Sequence, residues 1–528
     1  MSRLWDALWT GDDDGLVRAL REGADAEARD DGETPLYRAA VGNQPVAVRL
    51  LLAAGADPGR ASGEDDGDLP LCGAACGGHT EVVRALLAAG ADPDQEEGYG
   101  FTALAWAVRL GHTEAAGALL AAGADPARPG PDGLVPLTAA ARRGSPSLVR
   151  LLLEHGAGRD RAALAEALAE ARRWIGADMA AVLRRGLVGS GGAADTYEAV
   201  VRRVPEDGGI TVVVELLRED GAPSRGDERQ TGHAAVATLL EGALGAPVPL
   251  EELAGRALAC GDPEQDDWTT AVDALAARAD ETVFVTATGW CASPDPLRRA
   301  LGARVLAALP GFTASAVPVL RRLAATEAGA GEGPGEGCGA GAGAGAGAGS
   351  GSLEGPGAGA GAREAGREPV ASVVVALGRC GDGSAVPELL AFAGHPDAEV
   401  RRQVAAALTG IVPAGHAEAV GTIVALSRDP DARVRDWATL ALAELPDDTP
   451  VVREALAARL ADPDPETAAE AARGLAIRQD PRAVEALARV LADGDPEGPA
   501  RETALSALEH VTDPRVRTRL EWTAPRCR

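Results

Sequence analysis

The sequence predicts an all-α fold of tandem helical repeats, because two phrases each recur at a period near 33 residues. The first phrase, Gly-Ala-Asp, recurs at intervals of 32, 35 and 33 residues, beginning at Gly23, Gly55, Gly90 and Gly123. The second phrase recurs in the C-terminal half at intervals of 34 and 33 residues, around Asp397, Asp431 and Asp464. A fixed period of this length is the signature of stacked repeats, none of which can bury its apolar face alone.

The first array covers residues 1–158. An apolar helical run such as 46–52 precedes each Gly-Ala-Asp, and a Thr-Pro-Leu-like phrase follows it, at 34–36, 69–71, 102–104 and 135–137. Each such phrase opens a short Ala-rich helix. A second helix follows a residue suited to a left-handed helix end, at Asn43, Gly78, Gly111 and Gly144. A further glycine, preceded by Asp in three copies, predicts a β-turn finger in each repeat, at Gly32, Gly67, Gly100 and Gly133.

On these phrases the N-terminal third resembles an ankyrin-repeat protein of about five repeats. The first repeat lacks the Thr-Pro-Leu phrase and resembles a capping repeat, with Trp5 and Trp9 on one helical face. The resemblance implies that partners bind to the finger tips and to the concave face of the first helices.

The second array covers residues 290–525. Its Asp-Pro phrases predict helix starts, with Asp as the N-cap and Pro in the first turn. They resemble HEAT repeats, specifically those of the bacterial phycobilisome-lyase-like type. The resemblance implies that the Arg of each Val-Arg step, as in Arg401 and Arg435, pairs with an acidic cap nearby. Weaker copies begin near Asp295, Asp495 and Asp513.

Two segments depart from the periods. Residues 328–367 form a Gly/Ala-rich tract, and removing it restores the repeat spacing, so we predict a disordered loop inserted within the second array. Residues 159–289 are predicted to form an irregular helical bridge, with degenerate HEAT-like repeats as the alternative. Its helices are expected at 161–185, near Tyr197–Val204, and at 233–240, 250–259 and 268–279, while 211–217 fits either a strand or a helix.

Composition limits the partners. The formal charge is −28 and all 51 basic residues are Arg, so the surface repels phosphate backbones and nucleic acid is not expected as a ligand. Without Lys, Schiff-base chemistry and a phosphate-loop Lys are excluded. The N-terminus lacks a signal-peptide pattern, no apolar run reaches the ~18 residues of a membrane span, and the cysteines are scattered. We therefore expect a cytoplasmic protein without membrane contact.

Each sequence motif that could belong to a catalytic, cofactor or metal site is better explained by a structural role. Residues 189–194 match a relaxed dinucleotide-binding phrase, but a helical pattern precedes them where a strand is required, which favours a linker turn. His79 and His112 stand in Gly-His-Thr-Glu phrases, where the ankyrin resemblance implies a structural role. Cys72 and Cys76 lack a second pair of metal ligands at zinc-site spacing. We expect no catalytic, cofactor or metal site, and therefore no enzyme.

Partner-binding residues are sought on the fingers and inner helices. Only 3% of the chain is aromatic, yet Tyr99, Phe101 and Trp106 cluster in one repeat, and Tyr, Trp and Arg most often anchor interfaces. The predicted partner-binding residues are Arg38, Tyr99, Phe101, Trp106, Arg109 and Arg142. The alternative is that Phe101 covers the turn and Trp106 packs against neighbouring repeats. In the second array, Arg401, Arg402, Arg433 and Arg435 form either a groove for an acidic partner or a salt-bridged ridge.

The expected function is non-enzymatic protein–protein interaction, as an adaptor or scaffold. Partners would bind through the ankyrin fingers and concave groove and through the HEAT array. Two alternatives come from the HEAT resemblance: a bilin-lyase-like protein that handles a chromophore, and a nucleic-acid-binding HEAT-like protein.

Overall fold

A computed structural model describes residues 3–63, 67–189, 198–206, 208–218, 221–330, 358–495 and 498–523. The chain forms two compact units: Met1–Cys260 with Glu264–Ala271, and Gly261–Pro263 with Val272–Arg528. The boundary falls inside the segment predicted to be a bridge, so most of that segment belongs to the unit that contains the first array.

The first array consists of helix pairs. We call the first helix of each pair inner and the second outer. The ten helices are α1 Arg3–Thr10, α2 Asp13–Arg21, α3 Pro35–Val41, α4 Pro45–Ala53, α5 Pro70–Cys76, α6 Thr80–Ala88, α7 Ala103–Leu110, α8 Thr113–Ala121, α9 Pro136–Arg143 and α10 Pro146–Glu154. Inner helices pack on inner helices (α3 on α5, α5 on α7, α7 on α9), as stacking requires.

Local chemistry accounts for the helix ends. The hydroxyls of Thr34 and Thr102 accept hydrogen bonds from backbone N–H groups of the first turns of α3 and α7, as N-caps do. The predicted left-handed residues are confirmed at all four breaks, with φ of 51° at Asn43, 68° at Gly78, 85° at Gly111 and 77° at Gly144.

The first unit continues with helices and a small sheet. These elements are α11 Arg161–Arg172, α12 Met179–Gly189, β1 Glu198–Glu206, β2 Gly209–Leu217, β3 Pro223–Gln230, α13 His233–Leu244, α14 Leu250–Cys260 and α15 Asp266–Ala276, of which α15 ends in the second unit. The strands are antiparallel in the order β1-β2-β3. Met179 and Leu183 of α12 are buried against Val212 and Val214 of β2.

The predicted helix near Tyr197–Val204 is wrong: the described part of that segment is strand β1, and Tyr197 lies outside the described residues. Pro205 cannot donate a helical hydrogen bond, and Val200, Val201 and Val204 are β-branched, so the segment favours a strand once a partner is available. Residues 211–217, which fitted a strand or a helix, supply that partner as β2.

The second unit is built of helices throughout its described length. Its elements are α16 Glu281–Cys291, α17 Pro296–Ala308, α18 Thr313–Ala330, α19 Ala358–Cys380, α20 Val386–Leu390, α21 Ala398–Leu408, α22 Ala417–Leu426, α23 Ala432–Glu444, α24 Pro450–Ala457, α25 Pro465–Ile477, α26 Arg482–Asp493, α27 Pro499–Ser506 and α28 Pro514–Thr523. Asp295, Asp397, Asp431 and Asp464 each accept a hydrogen bond from a backbone N–H of the helix that follows, which confirms them as N-caps.

The predicted loop 328–367 is shorter at both ends, because α18 extends to Ala330 and α19 begins at Ala358. Residues 331–357 lie outside the described residues. Helices α18 and α19 pack against each other and α17 packs against α19, so the tract joins neighbouring helices of one array.

Candidate partner-binding surface

The aromatic residues predicted on the fourth repeat form one group. The rings of Phe101 and Trp106 are in contact, with centroids 4.4 Å apart. The indole Nε1–H of Trp106 donates a hydrogen bond to Oε1 of Glu97 at 2.7 Å. Tyr99 lies between these residues in sequence and is 74% exposed. We call Glu97, Tyr99, Phe101 and Trp106 the aromatic–acidic site.

Arg109 borders this site. Its guanidinium lies 5.7 Å from the ring centroid of Phe101 and 3.4 Å from the carboxylate of Asp132 in the next finger. One repeat earlier, the positions of Arg109 and Asp132 are occupied by Cys76 and Tyr99. The inter-repeat ion pair is therefore replaced by a thiol and an exposed phenol at the aromatic–acidic site.

Arg38 lies elsewhere on the inner row. Its guanidinium is 3.6 Å from the ring centroid of Trp9 on α1, a cation–π distance. Trp9 is 52% exposed, whereas Trp5 is buried and donates its indole N–H to the carbonyl of Ala28. Arg38 thus has an aromatic partner within the chain.

Arg142 also has a partner within the chain. Its Nε donates to Glu170 Oε1 at 2.8 Å, and Trp174 donates its indole N–H to the same oxygen at 3.2 Å. The other oxygen of Glu170 accepts a hydrogen bond from Arg173 at 2.9 Å. The structure therefore brings Phe101 and Trp106 into contact, with Tyr99 exposed in the same finger and Arg109 at the edge, and places Arg38 and Arg142 in separate intramolecular contacts.

Sequence reasoning missed Glu97 and Tyr37. Glu97 was hidden because finger positions are generally polar. Its column, three residues before the turn glycine, holds Arg29, Glu64 and Gly130 in the other copies, so the sequence does not single it out. Tyr37 packs over Gly73 of the next inner helix, where an added Cβ would lie 3.1 Å from the Tyr37 ring and 2.8 Å from Val41. The lack of a side chain at Gly73 therefore leaves the space that the Tyr37 ring occupies.

Burial and like charges perturb the ionisable groups here. Burial raises the pKa of Glu97, and the nearby carboxylate of Asp68 adds to this, while the Trp106 hydrogen bond opposes it. Burial, together with the negative charges of Asp68, Glu33 and Glu97, raises the pKa of Tyr37 to about 12. Both pKa values are raised first by burial and second by neighbouring carboxylates.

A row of hydrogen bonds between neighbouring repeats explains the role of His79 and His112. Each bond joins a side chain near the start of a helix to a backbone carbonyl of an inner helix, as in Gln44–Leu8 (2.9 Å), His79–Val41 (3.1 Å), His112–Cys76 (3.0 Å) and His233–Arg142 (3.2 Å). The structural role predicted for His79 and His112 is confirmed. In the part of the chain that the structure describes, no three His, Cys, Asp or Glu side chains are grouped to hold a metal ion.

The arginines of the second array face inward. Arg401 binds both carboxylate oxygens of Asp429, at 2.7 and 2.9 Å, and Arg435 binds those of Asp462, at 3.0 Å each. Both guanidinium groups are largely buried. The resemblance implies an acidic cap as the partner; each Arg does pair with an acidic residue, but it is the first Asp of the Asp-Pro-Asp, two residues before the N-cap.

The two remaining predicted arginines also meet a carboxylate. Arg402 pairs with Glu399, and Arg433, which is exposed, lies 3.9 Å from the same group. The arrangement is the salt-bridged ridge and not an open groove. The dinucleotide-like phrase lies outside the described residues from position 190 onward, and Gly189 ends α12.

Comparison with family models assigns the first array and the part of the second array that begins at residue 368. Ankyrin-repeat models match residues 4–97, 59–129 and 132–162, and a HEAT-repeat model matches 368–443, 395–463 and 452–524. The phycobilisome-lyase-like type is not distinguished by these matches and stays a prediction. No curated protein matches the chain significantly. None of the helices in the described ranges has the length and apolar character needed to cross a bilayer.

Proposed function

We propose that this chain of ankyrin repeats followed by HEAT repeats is a non-enzymatic adaptor that binds partner proteins in the cytoplasm. The observation that carries the proposal is the aromatic–acidic site. An exposed tyrosine, a tryptophan–phenylalanine pair and a carboxylate lie together on the surface that ankyrin repeats use for recognition. Aromatic residues in a partly desolvated setting are the usual anchors of interfaces.

The second unit is proposed to supply a second recognition surface. What supports this is that each unit has its own helical array, so one chain can contact two sites of a composite target. Linking two modest sites raises the overall affinity without any new contact.

Affinity capture with the full-length tagged chain tests the proposal. Extract of the source cells is passed over wild type and over a Tyr99→Ala/Trp106→Ala double variant whose folding is checked by circular dichroism. The control bait carries Val285→Ala and Val451→Ala, exposed apolar residues of the second unit that are 60% and 58% accessible.

A partner captured by wild type and by the control, but lost from the double variant, is the expected result. A partner lost only from the control moves the recognition surface to the second unit. If wild type captures no protein above background, the adaptor proposal fails.

A further inference from the structure

The first unit contains two tryptophan–carboxylate pairs of the same chemistry. In one, Trp174 donates its indole N–H to Glu170; in the other, Trp106 donates to Glu97. Because both pairs belong to the same compact unit, each serves as a reference for the other.

Arginine side chains of the same chain bind to the Trp174–Glu170 pair. Arg142 and Arg173 bind the two carboxylate oxygens of Glu170, and the guanidinium of Arg229 lies 5.1 Å from the Trp174 ring centroid. Although burial alone would raise the pKa of Glu170, the hydrogen bonds from Arg142 and Trp174 lower it.

Within the described ranges, the carboxylate of Glu97 lacks such a cation, although Arg109 lies 5.7 Å from the neighbouring Phe101 ring. Glu97 accepts its side-chain hydrogen bond from Trp106, and no arginine among the described residues pairs with it. The repeat position that carries Arg109 and Arg142 in the next two repeats is here Cys76, and in the repeat before it is Val41. Cys76 ends α5, the inner helix that packs on α7, which carries Trp106. A guanidinium at this point in the repeat pattern is replaced by an exposed thiol.

We infer that the aromatic–acidic site binds the guanidinium of an arginine presented by a segment of the partner protein. The guanidinium stacks on the Trp106–Phe101 rings and donates to Glu97, as Arg142 does to Glu170. A planar guanidinium satisfies stacking and carboxylate pairing together, whereas an ammonium is a strongly hydrated point charge. The inference rests on the proposed function, of which it names the partner's chemistry.

One substitution should supply the aromatic–acidic site with a guanidinium from the chain itself. Cys76→Arg restores the residue type of the next two repeats and should place an internal guanidinium on Glu97. Glu97→Gln removes the charge and keeps an acceptor. Matched controls make the same charge changes on outer helices: Glu81→Gln on α6, where the side chain is exposed, and Val46→Arg on α4, which is 44% exposed.

The probe is a fluorescein-labelled Gly/Ser dodecapeptide with two arginines, compared with its citrulline twin by fluorescence anisotropy on the purified full chain. We expect the arginine peptide to bind at least about tenfold more tightly than the citrulline peptide. Glu97→Gln and Cys76→Arg should each remove most of this preference, and both controls should keep it.

Equal binding of the two peptides overturns the inference, as does a preference that survives both Glu97→Gln and Cys76→Arg. N-acetyl-arginine amide is the third probe; if it binds as tightly as the peptide, a protein segment is not the occupant and the inference also fails. These failures leave the adaptor proposal standing when capture still depends on Tyr99 and Trp106, so the two proposals are tested separately.

Discussion

Arg143, the last residue of α9, forms an ion pair at 2.7 Å with Glu228 of β3, which lies 85 residues further along the chain. Arg143 is buried and also donates to the carbonyl of Arg109. His233, at the start of α13, contacts the carbonyl of Arg142. Helices α11 and α13 close the C-terminal end of the ankyrin stack, because their buried residues join the apolar core of the repeats, as those of a terminal repeat must. The ion pair of Arg143 connects strand β3 to this end.

Arg143→Ala should weaken this closure. Two hydrogen bonds from a buried charged group are lost, so we expect the free energy of unfolding to fall by about 2–3 kcal/mol. Chemical denaturation followed by hydrogen exchange of α9 and α13 measures the effect. Arg49→Ala, an exposed arginine on outer helix α4, is the control and should change stability by less than about 0.5 kcal/mol. Equal losses from both variants would show that the closure contributes nothing.

Two glycines allow the cost of backbone strain to be measured apart from the cost of a steric clash. Both Gly123 and Gly144 have left-handed backbones, with φ of 97° and 77°. A Cβ at Gly123 meets nothing within 4 Å, whereas at Gly144 it would lie 2.4 Å from the His233 ring. We expect Gly123→Ala to cost about 1–2 kcal/mol in unfolding free energy and Gly144→Ala clearly more. Equal thermal shifts for the two would contradict the packing of α13 on α9.

Much of this architecture follows from the sequence, and the rest has a physical reason for being hidden. Repeat phrases report local caps and stacking, so the helices around Thr34 and Asp431 were predictable. The strand β1 was not, because its identity depends on pairing with β2. The aromatic cluster was visible as residue types, but Glu97 gains its meaning from the Trp106 hydrogen bond, which no spacing reports.

His233 and Asp267 should give opposite pH dependences. Burial lowers the pKa of His233 to about 4, so its contribution to stability is lost as pH falls from about 6.5 toward 4. Burial raises the pKa of Asp267 to about 6, so its contribution is lost as pH rises from about 4 through 6. Each shift corresponds to about 3 kcal/mol, and in the wild type the two slopes largely cancel.

Single substitutions should reveal the pH dependence of stability that each residue contributes. His233→Gln keeps a donor of the kind that Gln44 provides in the first repeats, and its unfolding free energy should fall between pH 4 and 6. Asp267→Asn keeps the acceptor for the backbone N–H of Ala235, and its unfolding free energy should rise over the same range. Denaturation curves at pH 4, 5, 6 and 7 measure both. Parallel profiles for the two variants would refute this assignment.

Among the carboxylates that pair with arginines in the HEAT repeats, we expect Asp462 to contribute most to stability. It is buried and accepts hydrogen bonds from Arg435 and Arg459. Burial alone would raise its pKa, but these guanidinium groups outweigh burial and lower it. Asp462→Asn leaves two arginines without their counter-charge, so we expect a loss of about 3 kcal/mol at pH 7.

The matched control for Asp462→Asn is Asp448→Asn, whose side chain is 49% exposed and pairs with Arg453. This substitution should change the free energy of unfolding much less, because exposed ion pairs contribute little to stability. Hydrogen exchange of α23 and α25 at pH 7 and below pH 4 measures the local stability of both variants. Because the lowered pKa stabilises the fold only while Asp462 is ionised, the difference between wild type and Asp462→Asn should shrink in acid. A difference that does not change with pH would contradict the ion-pair account.

The central claim is that partners are recognised at the aromatic–acidic site of the ankyrin repeats. Hydrogen–deuterium exchange of the full chain, alone and saturated with a captured partner, tests it most directly. The account predicts protection of the 95–102 finger and of inner helices α5 and α7, and no such protection in Cys76→Arg at the same partner concentration. Protection confined to α21–α26, with the finger unchanged, would contradict it.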